Sequence, residues 1–209
     1  MVSITHNGEN YLRLNSILSA AQKRFGLYGV EKTTMREIAE DLNISKGALY
    51  YYFSDKEHLL KAVIEKEQDE FMALFQSKIE MMDDPEEMLL EYIKTRSEHF
   101  RSLLNLSRFR MNDFWALKPI MESTWHSFHA KEVEIIESIF LLGIKKQIFI
   151  MEDAKEIAEL FLEILKGLRH SELHHKELLL LDERDYASLL HKTNLLLKIF
   201  TGGLKYNEL

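Results

Sequence analysis

An all-α fold of about nine helices is what this sequence of 209 residues predicts. Three observations lead there. With only 2 prolines and 8 glycines, the chain has few breakers and room for long elements. Apolar residues recur three and four positions apart along most of its length. Several of those stretches also open on a recognisable helix-start signal. Ile148 to Ile150 is the only strand-like run, and three residues do not make a sheet.

The first helix spans Asn10 to Leu27, with Leu14, Ile17, Leu18, Ala21 and Phe25 on one face and Tyr28-Gly29 as its stop. Thr34 opens the second, and Glu37 three residues later completes a capping box. Ile38, Ala39 and Leu42 are its buried face. Asn43 tolerates the left-handed backbone that a sharp turn between helices needs. Ile44 plugs that turn, and Ser45 caps a third helix reaching about Tyr52. Ser54 or Asp55 caps a fourth, to about Ile79. Asp84, Pro85 and Glu87 start a fifth, expected to reach about Met111. A short sixth piece carries Phe114, Trp115 and Leu117, and Pro119 starts a seventh that ends at Gly143. Asp153 and Glu156 open an eighth ending near Arg169, and residues 185–201 form a ninth, stopped by Gly202-Gly203.

The bulk composition, 46% hydrophobic and 29% charged, is that of an ordinary globular chain. The absence of cysteine excludes disulfides and thiolate metal ligation. MVSITHNGEN has neither a basic start nor an apolar run, so it does not read as a signal peptide. No apolar run approaches the roughly 20 residues of a membrane span, Leu178 to Leu181 being a short one. A cytoplasmic protein without a membrane partner is expected. The net charge of −7 argues against nucleic acid only until it is divided: residues 1–56 carry +1 and the remainder −8.

Two short helices joined by a tight turn form a helix-turn-helix, whose second helix can enter the major groove. Leu49 and Phe53, four apart, face inward and leave Lys46, Tyr50, Tyr51 and Tyr52 mostly outward. Gly47 and Ala48 let the backbone come close to a partner. Ser45 and Lys56 sit at helix starts that favour phosphate. Arg36 is long enough to reach a groove edge. The plainer alternative packs the three tyrosines between subdomains and leaves Arg36 as a solvated charge.

The pattern Ile17-Leu18-x-Ala20-Ala21-x-x-x-Phe25-x-x-x-Gly29-Val30-x-x-Thr33-Thr34-Met35-x-Glu37-Ile38-Ala39 is similar to the N-terminal signature of TetR-like bacterial transcriptional regulators. The similarity continues through Asn43-Ile44-Ser45-Lys46-Gly47-Ala48-Leu49-Tyr50-Tyr51-Tyr52-Phe53-x-Asp55-Lys56-Glu57-x-Leu59 and covers about residues 11–60, with Asn43 where glycine is usual. The resemblance implies a three-helix DNA-binding head over residues 1–56 and a ligand-binding and dimerisation body over 57–209. It implies a homodimer on a pseudo-palindromic double-stranded DNA operator, usually a repressor, released by a small molecule held in the body. By position it assigns Thr33, Thr34, Ser45, Lys46, Tyr51 and Lys56 to phosphates, and Arg36, Gly47, Ala48, Tyr50 and Tyr52 to bases or sugars.

In the body, Ile157, Leu160, Phe161, Ile164, Gly167 and Leu168 of the eighth helix, with Leu189, Leu196, Ile199 and Phe200 of the ninth, form the expected dimer interface. Leu165, Leu190 and Leu195 add to the same apolar stripes. A cluster of Phe71, Phe75, Phe100, Phe109, Met111, Trp115, Met121, Trp125 and Phe128 can line a pocket for an apolar or aromatic effector, or simply be core. Arg96, His99 and Asn105 are its candidate polar anchors, each also readable as a structural or surface residue. His126 with His129, and His170 with His174 and His175, have metal-compatible spacing but no evident further ligand, so no metal and no cofactor are expected. Without a nucleophile elbow, a glycine-rich phosphate loop or an HExxH pair, the chain does not read as an enzyme. The competing non-enzymatic reading is a helical protein–protein adaptor with a degenerate head.

Overall fold

Local capping chemistry sets where the helices begin. In the computed structural model, which describes residues 3–105, 111–173 and 183–205, the elements are α1 (Ser3–Tyr28), α2 (Met35–Asp41), α3 (Lys46–Tyr52), α4 (Lys56–Ile79), α5 (Pro85–Asn105), α6 (Met111–Lys145), α7 (Ala154–Leu173) and α8 (Glu183–Leu204). The Thr34 hydroxyl accepts from the Glu37 amide at 3.3 Å while the Glu37 carboxylate accepts from the Thr34 amide at 2.8 Å, the reciprocal box expected for α2. Ser45 Oγ accepts from Ala48 N at the start of α3. Asp55, Asp84 and Asp153 each place a carboxylate on the free amides that open α4, α5 and α7. Asn43 takes φ 52° in the turn between α2 and α3, the left-handed region expected of it.

Several boundaries differ from the sequence reading, and α1 begins at Ser3 rather than Asn10. The sixth and seventh helices are one, α6, which begins at Met111 and carries Pro119 in its interior rather than at its start. A proline there removes one backbone donor, a local loss that a helix of 35 residues can span. Met111 therefore belongs to α6, and α5 ends at Asn105. The glycines at 202 and 203 lie within α8 and do not end it. That end is held from outside the helix: the Ile150 amide donates to Leu204 O at 2.8 Å, and Phe149 and Lys205 form an isolated antiparallel bridge. The bridge is what the strand-like run at 148–150 amounts to.

The chain divides into two compact units. The first takes the described residues up to Asp69 and those between Leu103 and Thr124. Its core joins Ile17, Leu18, Ala21 and Phe25 of α1 to Ile38 and Ala39 of α2, Leu49 of α3, and Leu59, Leu60 and Val63 of α4. Arg24 ties α1 to α2 through Asp41, at 2.5 and 3.0 Å. The second takes Glu70 to Ser102 and the described residues from Trp125 onward. Its core is aromatic, built on Phe71, Phe75, Tyr92, Phe140, Phe149 and Phe161. Gly143 is required here, because the Phe149 ring lies over α6 so closely that a β-carbon at 143 would sit 2.1 Å from it. No helix among the described residues is long and apolar enough to cross a membrane.

Candidate nucleic-acid interface

Helix α3 has one buried face and one open one. Leu49 has no exposed surface and Phe53 very little, each contributing about 1.5–3 kcal/mol by burial and fixing the rotation of the helix. That rotation turns Lys46, Gly47, Tyr50 and Tyr51 outward, Tyr51 with 82% of its surface exposed. The Lys46 ammonium lies 5.4 Å above the Tyr50 ring, which holds a positive charge beside an aromatic face. A β-carbon at Gly47 would meet nothing closer than Ser45 Oγ at 3.9 Å, so the backbone there is open to a partner. Ala48 is half-buried beside it. Arg36 stands exposed on α2, steadied by Glu40 at 2.7 Å, whose carboxylate raises its pKa further.

Other residues expected at this surface are engaged inside the unit. The Lys56 ammonium donates to the carbonyls of Val30, Glu31 and Thr33 at 2.8, 3.3 and 3.1 Å. Thr33 is buried, and its hydroxyl donates to Gly29 O at 2.8 Å. Both therefore hold the loop between α1 and α2 by donating to its backbone carbonyls. Thr34 is occupied as the cap of α2 and Ser45 as the cap of α3. Tyr52 is half-buried, and its hydroxyl donates to Asn10 Oδ1 at 2.7 Å. Asn10 had no signal in the sequence, because a bond spanning 42 positions leaves no local pattern. Below the loop, Asp55 is held down to about 2 by the His58 amide, which donates to it, and then by the His58 ring.

The expected body sites sort differently. Phe71, Phe75 and Phe128 are buried core, Phe71 and Phe75 packed ring to ring with Tyr92 and Phe128 against Phe71, and Trp125 is half-buried. The side chains of Phe100, Phe109, Met111, Trp115 and Met121 lie outside the described residues, as do His174 and His175. Of the expected dimer face, Phe161 and Leu189 turn into their own unit's core instead, since each falls about a quarter-turn or more from the exposed stripe. Leu160 and Ile199, the latter 67% exposed, stand outward with Gly167, and Ile157, Ile164, Leu168, Leu196 and Phe200 are half-buried. Leu195, on the same stripe of α8, is exposed as well.

Helix α3, with its open face and its capped partner α2, coincides with a known sequence family. The pattern described as "Bacterial regulatory proteins, tetR family" matches residues 17–63. The crystal structure of a transcriptional regulator from Cytophaga hutchinsonii is similar over almost its entire length, with 41% identity and a TM-score of 0.83, covering 93% of this chain and 99% of that one. The chain belongs to the tetR family. Its curated relatives in that family match over a shorter stretch. The HTH-type transcriptional repressor Rv1474c of Mycobacterium tuberculosis is 32% identical over 98 residues, 44% of this chain and 52% of that protein, so the chain spans about half the length of this tetR-family relative. A regulator from Saccharomonospora viridis, solved in complex with choline, shares the fold at 15% identity and a TM-score of 0.67, covering 94% of this chain and 100% of that one. The tetR family is one of transcriptional regulators, which are not enzymes.

Proposed function

We propose that this tetR-family chain is a sequence-specific DNA-binding transcriptional regulator, acting in the cytoplasm as a homodimer and, in its usual mode, as a repressor. The observation that carries the reading is the open face of α3. Lys46, Gly47, Tyr50 and Tyr51 are presented together by a short helix whose opposite side is locked by Leu49 and Phe53. Such a face suits a major groove: a cation for phosphate, aromatic edges for sugars and bases, and a glycine for close approach. Arg36 adds a second cation from α2. Thr33, Thr34, Ser45 and Lys56 support the surface from below, by holding the loop and the two helix starts. Two copies joined through the exposed apolar stripe of α7 and α8 would read two half-sites about 34–36 Å apart. A small molecule bound in the second unit would release the operator by as much as it prefers the body of the unbound form.

Selection of duplexes from a random pool by the full chain tests this. The expected result is a two-fold related site, bound with an affinity that falls steeply with salt. Lys46→Ala and Tyr51→Ala should each weaken it by roughly 10-fold or more, and Arg36→Ala should also relax sequence preference. Failure to enrich any sequence would leave the adaptor reading in its place. A monomer in sedimentation at micromolar concentration would remove the two-half-site arrangement.

A further inference from the structure

Helix α3 has 7 residues, too few to be stable by itself, so its side chains are held in place by what surrounds it. Leu49 and Phe53 fix its apolar side. Among the described residues, one side-chain hydrogen bond ties it to another helix: the Tyr52 hydroxyl donates to Asn10 Oδ1 of α1 at 2.7 Å. Asn10 lies one turn before Leu14, on the face of α1 that packs the core of the first unit. Tyr52, the last residue of α3, packs on the same core. Its side chain is thus held at both ends, by apolar neighbours along the ring and by Asn10 at the polar tip.

Tyr52 in turn supports Tyr51. The two rings meet edge to face, with centroids 5.4 Å apart and planes at 88°, so that the positive edge of one meets the negative face of the other. Tyr51 is otherwise exposed, and Tyr52 is its ring partner among the described residues. A tyrosine hydroxyl has a single proton to give. Spent on Asn10, it is not available to a base or a phosphate, which leaves Tyr52 its ring and its hold on Tyr51. Without Asn10 the Tyr52 ring would regain the broad torsional freedom of a free aromatic side chain, and Tyr51 would lose a fixed support.

We infer that Asn10 is a positioning residue of the DNA-binding face: it holds Tyr52 by the hydroxyl and, through the Tyr52 ring, sets the direction in which Tyr51 is presented to the duplex. The inference rests on the reading of α3 as the helix that meets DNA. It adds to that surface a residue of α1, 42 positions from Tyr52 and outside the helix-turn-helix.

Asn10→Ala in the full chain removes the acceptor, and alanine is the better helix former, so α1 should keep its helical content. Without DNA, the ring signals of isotope-labelled Tyr51 and Tyr52 should both move in the magnetic resonance spectrum of this variant. Affinity for the duplex selected by the full chain should fall by roughly 5-fold, the worth of one hydrogen bond. In a Tyr51→Ala background, with no ring left to direct, the same substitution should cost less than about 2-fold. Tyr52→Phe removes the donor instead, should match Asn10→Ala in affinity, and keeps the test open if Asn10→Ala perturbs α1. Unmoved Tyr51 signals, unchanged affinity, or a full loss that persists in the Tyr51→Ala background would each overturn the inference. If the unaltered chain binds its duplex and Asn10→Ala binds it equally well, the inference alone fails. If the unaltered chain enriches no duplex, the DNA reading fails, and moved Tyr51 signals would then leave the contact between the rings and remove its role at DNA.

Discussion

The two units differ most in how deeply their charged groups are buried. In the first, the reciprocal Thr34–Glu37 box, the Ser45 cap on Ala48 and the Asp55 carboxylate on His58 all close within three residues, at the surface. In the second, Tyr92 reaches Glu132 across 40 positions and Arg96 reaches it across 36, both inside the fold. Short-range bonds at helix ends cost little to desolvate and are individually modest. A buried ionic cluster is costly to assemble, and the loss of one member strands the others. The first unit should therefore lose stability in small steps, and the second in large ones.

The largest step is Glu132→Ala. It leaves the Arg96 guanidinium and the Tyr92 hydroxyl without their carboxylate in a buried site and should cost about 3–5 kcal/mol in denaturant unfolding. A loss comparable to that of a surface ion pair would break the comparison. Gly143→Ala comes next at about 1–3 kcal/mol, because the Phe149 ring must move off α6. Acid should separate the units by pH. His99, its ring tilted against Phe71 and its pKa held down to about 4 by burial and then by Arg96, takes up its proton later in the folded state than in the unfolded one. Its contribution is present above about 6.5 and is lost as pH falls toward 4. Asp55, lowered to about 2, contributes above about 4 and loses that only as pH falls toward 2. Unit-resolved hydrogen exchange across that range should show the second unit weakening first. Thr34→Ala should cost about 1 kcal/mol, confined to α2. Tyr51→Ala should change stability by less than about 0.5 kcal/mol, although it stands at the centre of the proposed DNA surface.

The same contrast explains what could be read without coordinates. The helix starts at Thr34, Ser45, Asp84 and Asp153 and the turn at Asn43 were legible because cap and capped amide are neighbours in sequence. The open face of α3 was legible because Leu49 and Phe53 fix its rotation. Pro119 misled, since its ring marks a helix start more often than an interior, and the neighbours that decide between these are distant in sequence. The glycines at 202 and 203 misled likewise, as the partner that completes the end of α8 is Ile150. Phe161 and Leu189, expected at a dimer face, are buried within their own unit, because a helix apolar around much of its circumference does not say which neighbour each side chain meets.

Lys56 converges on three carbonyl oxygens from one short loop. An ammonium carries three donors arranged around a single nitrogen, so the number of acceptors matches the number of protons. A guanidinium spreads its donors in a flat fork and cannot gather three oxygens at one point. The position thus discriminates between two cations of equal charge: Lys56→Arg would preserve electrostatics and still loosen the loop. What is selected here is a coordination geometry, with a nitrogen serving the backbone as a small metal ion would.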